Sequence, residues 1–173
     1  MRRIRYCVAM SLDGYIAGPA DEADWIVTDP SFDFAALWAS FDTLVMGRRT
    51  YEQMLRLGGG FGEPGIRTYV ISRTLSPTAH KDVTVLGDVS KVGELRKEKG
   101  KDIWLFGGGV LFGSLLSAGL VDSVEVSIVP VLLGAGRPLL SGNPQRVGLE
   151  LVSVDRTPMG LVTLKYGVGR STA

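Results

Sequence analysis

Three short stretches of this 173-residue chain place phosphate-holding groups directly after an apolar run. In "LVMGRRTYE" the run ends at Gly47 and is followed by Arg48, Arg49 and Thr50. A guanidinium can take two phosphate oxygens at once, and a threonine hydroxyl can donate to a third. In "YVISRT" the polar pair is Ser72 and Arg73. In "DIWLFGGGVLF" the run leads into Gly107, Gly108 and Gly109, with Val110 and Leu111 opening a helical pattern. Glycine lets backbone approach a ligand with no Cβ in the way, and a helix N-terminus offers free N–H groups and the positive end of a dipole. Each stretch also has an ordinary structural explanation. The glycines suit a tight turn with close helix packing, the arginines a solvated helix start, and Ser72–Arg73 a polar loop.

For the three to act together they must lie on one edge of a sheet, and the surrounding pattern predicts that they do. "RIRYCVAM" is apolar on both faces and reads as a central strand. "DPSFDFAALWASF" reads as a helix, with Phe34, Leu37, Trp38 and Phe41 on one side, Asp29 as N-cap and Pro30 in the first turn. "TLVMG", "RTYVIS", "VTVLG" and "DIWLF" read as strands. "RRTYEQMLRL", closed by Gly58, and "SKVGELRKEKG" read as helices, as does the stretch after the glycine triplet, with Phe112, Leu115, Leu116 and Gly119 on one side. "GGGFGEPG" is an expected loop. The last segments, "VDSVEVSIVPVLLG", "LELVSVDR" and "LVTLKYGV", have no helix between them. Strands alternating with helices, then strands alone, predict an α/β fold: a mostly parallel sheet with antiparallel C-terminal strands. In parallel sheets ligands sit beyond the carboxyl ends of the strands. Two anionic centres, a pyrophosphate and a 2′-phosphate, would use all three stretches, which favours NADPH over NADH. The spacing GGGxxxG is a poor dinucleotide fingerprint of the doubly wound kind, and too little chain follows it to complete such a domain.

Other chemistries have little to stand on. His80 is the only histidine and Cys7 the only cysteine, so a histidine triad, a disulfide or a cysteine-rich zinc site is not expected. Cys7 sits in an apolar run and reads as a small buried hydrophobe. A net charge of +1 gives no global field toward nucleic acid or membrane. No apolar run is long enough to span a bilayer and no signal-peptide pattern opens the chain, so a cytoplasmic protein is expected. With 45% hydrophobic and 21% charged residues and no linker or repeat, residues 1–173 are read as a single globular domain. An enzyme built from these residues would draw its chemistry from a cofactor.

"MSLDGYIA", "VMGRRTYE", "YVISRT" and "IWLFGGGVLF", in this order, resemble the dihydrofolate reductase superfamily. "ADWIVTDP" and "VDSVEVSIVPVLLGAGRPLL" resemble more closely the reductase domain of the bifunctional riboflavin-biosynthesis deaminase–reductase. The resemblance covers residues 3 to 168 and implies a dihydrofolate reductase-like fold and NADPH as cofactor. It implies a cis peptide between Gly107 and Gly108 at the pyrophosphate, with Gly109, Val110 and Leu111 beside them. Gly47, Arg48, Arg49 and Thr50 would meet the 2′-phosphate and pyrophosphate, and Ser72 and Arg73 the adenosine side. Ala9, Ile16 and Ala17 would form the wall behind the nicotinamide, with Trp25 and Ser127 near the substrate. Ser127 also fits an outward-facing strand residue, since Ser123 and Glu125 share its face. The candidate acids are Asp29 and Asp33, and the proton is expected from water or from Asp33, whose pKa burial would raise if it acts as the acid; Asp13 reads as a turn residue before Gly14. The implied activity is NADPH-dependent reduction of a small heterocycle, of the 5-amino-6-(5-phosphoribosylamino)uracil reductase type. The alternatives are a dihydrofolate reductase and a non-catalytic NADPH-binding relative. The resemblance also implies a homodimer, to which the apolar "IVPVLLGAG" adds a little.

Overall fold

A computed structural model describes residues 1–58, 65–142 and 145–169. The expected loop at 58–65 lies, apart from its two ends, outside the described residues. β1 (Ile4–Ser11) is central, as its apolar character on both faces requires, with Ile4 and Tyr6 fully buried. β2 (Tyr15–Ala17) is short. It is followed by α1 (Phe34–Ala39), β3 (Phe41–Gly47), α2 (Arg48–Arg56), β4 (Arg67–Ile71), β5 (Thr84–Leu86), α3 (Ser90–Leu95), β6 (Asp102–Gly107) and α4 (Gly109–Ser117). The chain ends with β7 (Ser123–Val129), the two-residue β8 (Arg137–Pro138), β9 (Leu149–Arg156) and β10 (Val162–Val168).

Eight strands form one sheet in the order β5-β4-β3-β6-β1-β7-β10-β9. From β5 to β7 every neighbouring pair is parallel, and β10 runs antiparallel to both β7 and β9. The fold is therefore a mixed, mostly parallel α/β sheet with an antiparallel C-terminal end. β6 returns between β3 and β1, so the connections reverse direction there, and such a reversal leaves a crevice at the carboxyl ends.

Helices cover both faces. On one face Val92 and Leu95 of α3 and Leu111, Phe112 and Leu115 of α4 pack with Ile4, Tyr6, Val124 and Val126. The Tyr6 and Phe112 rings stack with centroids 4.1 Å apart. The opposite face holds Cys7, Phe41, Leu44, Met46, Tyr51 and Trp104, against which Leu37 and Trp38 of α1 pack. There the Trp104 indole N–H donates to the Cys7 carbonyl at 2.9 Å. Cys7 is buried, and burial pushes its thiol well above the ordinary range, as expected for a packing residue.

Three boundaries differ from the sequence expectation. The helix near Trp38 starts four residues later than expected, because Asp33 and not Asp29 caps it: Asp33 Oδ1 accepts from the Ala36 N–H at 2.8 Å. Asp29 instead closes a local turn, accepting from the Ser31 N–H at 2.9 Å and its hydroxyl at 2.7 Å. Phe41 belongs to β3, not to that helix. The helix expected to reach Gly100 stops at Leu95.

Candidate active site

β3 and β6 are hydrogen-bonded neighbours, and each ends in glycine at the start of a nine-residue helix. Gly47 caps α2 and Gly108 caps α4, and neither helix has a side-chain cap. Two helix N-termini with free N–H groups therefore stand side by side at one sheet edge, where the dipoles favour an anion. The Gly107–Gly108 peptide is cis. A Cβ on Gly107 or Gly108 would lie 3.8 or 3.4 Å from Thr50 Oγ1, so the missing side chains leave open the space between Thr50 and the α4 terminus. The third glycine has a different task. A Cβ on Gly109 would stand 2.5 Å from the Pro138 carbonyl oxygen, and one on Gly113 2.2 Å from that of Ser141. These two glycines let the segment after β7 lie directly on α4.

The strand ends open into a cleft of about 1030 Å³. Gly47, Arg48, Arg49 and Thr50 line it, together with Ser72 and Arg73 past β4, and Gly107, Gly108, Gly109, Val110 and Leu111 past β6. Arg48 is engaged with Glu52, one helical turn on, at 3.0 Å. Arg49 and Arg73 are exposed and have no ion pair among the described residues. Ala9, Ile16 and Ala17 also line the cleft, as does Ser127. Ser127 lies opposite Thr163 of β10, with their hydroxyl oxygens 2.9 Å apart.

Two expected site residues lie elsewhere. Asp33 is exposed and outside the lining, because capping α1 fixes its carboxylate at the helix end. Trp25 is half-buried and also outside the lining. It lies within the turn closed by the Ile26 N–H to Ala23 carbonyl bond, and the chain presents Ile26 and Val27 to the cleft instead.

Several lining residues were not anticipated. Gly87, Asp88 and Val89 follow β5; they are a fourth strand end, which the rule used for the other three would have found. Trp104 and Phe106 of β6 and Glu125 of β7 floor the part under α1. Strict alternation from Ser127 reaches Glu125, but nothing in the sequence names its partner. That partner is Arg5, whose guanidinium meets Glu125 through Nε at 2.7 Å and Nη2 at 2.8 Å. Both side chains are 12% exposed, so the pair is largely withdrawn from water. Burial opposes ionisation of Glu125, but the hydrogen-bonded Arg5, with Lys165 and Ser123, outweighs it and holds the carboxyl below its ordinary value. Asp29 is 2% exposed; hydrogen bonds from the Ser31 hydroxyl and N–H to its Oδ1 hold its carboxyl below the ordinary value. Asp21, paired with Arg137 at 2.5 Å, and Asp88, bonded by the Ser90 N–H, are lowered too. No carboxyl lining the cleft among the described residues thus has the raised pKa of a proton donor at neutral pH.

The RibD C-terminal domain family model matches residues 2–163. The chain belongs to the RibD C-terminal domain family. Among curated relatives, this RibD C-terminal domain is 32% identical over 177 residues to the uncharacterized protein YyaP of Bacillus subtilis (strain 168), covering 95% of this chain and 94% of the relative. Among solved structures, it is similar to a putative riboflavin biosynthesis protein from Shewanella sp. PV-4, with 27% identity, a TM-score of 0.82, and 98% and 100% of the two chains covered. It shares its fold with a deaminase/5-amino-6-(5-phosphoribosylamino)uracil reductase from Thermotoga maritima, at a TM-score of 0.71 and 16% identity. That match covers 97% of this chain and 57% of the larger enzyme. The RibD reductase-like, dihydrofolate reductase-like architecture implied by the sequence motifs is thereby established. Among the described residues no helix is long and apolar enough to cross a membrane, and no cluster of metal-ligating side chains is present.

Proposed function

We propose that the protein is an NADPH-dependent reductase of the riboflavin-biosynthesis reductase type, acting on a planar heterocyclic substrate. One observation carries this reading: the polar ends of three adjacent strands, β4, β3 and β6, line one cleft at the point where strand order reverses. The residues present fit the cofactor. The open space between Thr50 and Gly107–Gly108, bounded by two uncapped helix N-termini, suits a pyrophosphate. Arg48, Arg49, Ser72 and Arg73 supply donors for a 2′-phosphate and the adenosine side. Ala9, Ile16 and Ala17 offer a small apolar wall on which a nicotinamide can lie.

Bound there, NADPH supplies a hydride, and with one proton a substrate C=N or C=O becomes CH–NH or CH–OH and NADP⁺ remains. The chain's own part is orientation and exclusion of water by Trp38, Trp104 and Phe106. Since the cleft's carboxyls are ionised, the proton comes from water, and the Ser127–Thr163 hydroxyl pair is placed to orient it. The test is a titration with NADPH and NADH followed by nucleotide oxidation with substrate added. Tighter binding of NADPH is expected; absence of binding by either nucleotide would overturn the reading.

A second copy of the chain is proposed as partner. Leu149, Leu151 and Val154 of the sheet-edge strand β9 are each about half exposed, and Leu151 and Val154 pair with Tyr166 and Leu164 of β10. This forms an apolar strip continuous with the sheet. Light scattering after size-exclusion chromatography is expected to give a dimer, and Leu151→Lys a monomer; a wild-type monomer at micromolar concentration would count against it.

A further inference from the structure

The charges in the cleft are unevenly divided. Its arginines are Arg48, Arg49 and Arg73, at the ends of β3 and β4, and Arg137, which is held by Asp21. The other half lies over β1, β6 and β7 beneath α1. Its lining is aromatic and aliphatic: Phe34, Leu37 and Trp38 of α1 and Trp104 and Phe106 of β6, with the Trp38 and Trp104 rings packed on each other at 4.7 Å between centroids. The charged residues lining that half are Asp29 and Glu125, both carboxylates, and no lysine or arginine lines it among the described residues. Two cations border it, Arg5 and Lys165, and both are committed to Glu125, at 2.7 and 3.6 Å. A phosphate entering this half would meet two lining carboxylates, while the cations behind them already engage Glu125, in surroundings too apolar to solvate it. A flat, uncharged ring would instead stack on the indole and phenyl rings and donate to Asp29, Ser127 or Thr163.

We propose that the substrate half of the cleft takes an unphosphorylated, uncharged planar ring compound and discriminates against the same compound carrying a phosphate. This rests on the cofactor reading above and narrows its substrate class. It sets the protein apart from a reductase of phosphoribosyl substrates, in spite of the shared fold.

The test uses two fluorescent probes with the same planar ring that differ by one phosphate, riboflavin and FMN. Each is titrated into the full-length protein with saturating NADP⁺, so that the phosphate-holding half is already filled. NADP⁺ binding is measured first and separately, so that failure of the cofactor reading is seen as such. Riboflavin is expected to bind about tenfold or more tighter than FMN, the scale of one unpaired phosphate beside buried carboxylates. Thr163→Lys, which puts a cation into this half and removes one hydroxyl partner of the ring, is expected to raise the ratio of FMN to riboflavin affinity about tenfold. Equal or tighter binding of FMN to the wild-type protein overturns the proposal. So does failure of both probes to bind a protein that binds NADP⁺, or a Thr163→Lys variant that folds but keeps the wild-type preference.

Discussion

Replacing Arg48 by alanine tests the cofactor reading at its most specific point. The guanidinium is 47% exposed, at the first position of α2, and pairs with Glu52 at 3.0 Å. A hydrogen bond from a charged donor to phosphate contributes about 1.5–3 kcal/mol. Releasing Glu52 to make it costs about 0.3–0.5 kcal/mol, the worth of an exposed helical pair. The net loss is then about 1–2.5 kcal/mol, which corresponds to about a 5- to 60-fold weaker NADPH complex. NADH lacks the 2′-phosphate, so its affinity should change by less than about twofold. Isothermal titration of both nucleotides against wild-type and Arg48→Ala reads the difference directly. Glu52→Ala serves as control: it frees Arg48 and should leave NADPH binding unchanged or up to about twofold tighter. Equal losses for both nucleotides would mean that Arg48 meets a feature they share, and would refute the 2′-phosphate argument.

Other outcomes follow from single contacts. Glu125→Ala leaves the Arg5 guanidinium largely buried without its bidentate partner and should destabilise the fold by about 3 kcal/mol in urea unfolding at neutral pH. Because the folded-state pKa of Glu125 is lowered, that stabilisation is complete above the unfolded value. It is lost as pH falls through the folded one, so the wild-type advantage over the variant should narrow in acid, and a pH-independent gap would contradict the pairing. Gly109→Ala puts a Cβ 2.5 Å from the Pro138 carbonyl oxygen and 3.0 Å from that of Leu139. It should cost about 1–3 kcal/mol, visible as a lower Tm. Asp33→Asn keeps the helix cap and should leave the rate and pH profile of NADPH oxidation unchanged; a profile shifted by this substitution would restore Asp33 as the acid.

The sheet and its strand ends were legible because their signals are local. Apolar runs such as "TLVMG" and "DIWLF" can be buried only as central strands, and Gly47 and Gly107 mark where each run ends. Asp33 was expected in the cleft and lies outside its lining, because its local signal is ambiguous. Asp29 and Asp33 both precede a helical pattern, and either can cap it; which one does depends on the turn that Asp29 makes with Ser31. Glu125 could be placed on Ser127's face by alternation, but its charge balance depends on Arg5, 120 residues earlier.

By itself the sequence determined the α/β layering and the grouping of phosphate-holding residues at the carboxyl ends of parallel strands, because period and composition act within a few residues. Only the tertiary structure decided which glycine does what. Gly107 and Gly108 face the open cleft beside Thr50, whereas Gly109 and Gly113 admit the backbone that follows β7. The tertiary structure also decided the character of the substrate half, where Arg5 and Lys165 both engage Glu125 and Trp38 of α1 packs on Trp104 of β6. Those features arise from pairings across three strands and a helix. The free energy of a charge depends on what the fold brings beside it, and sequence neighbours do not specify that.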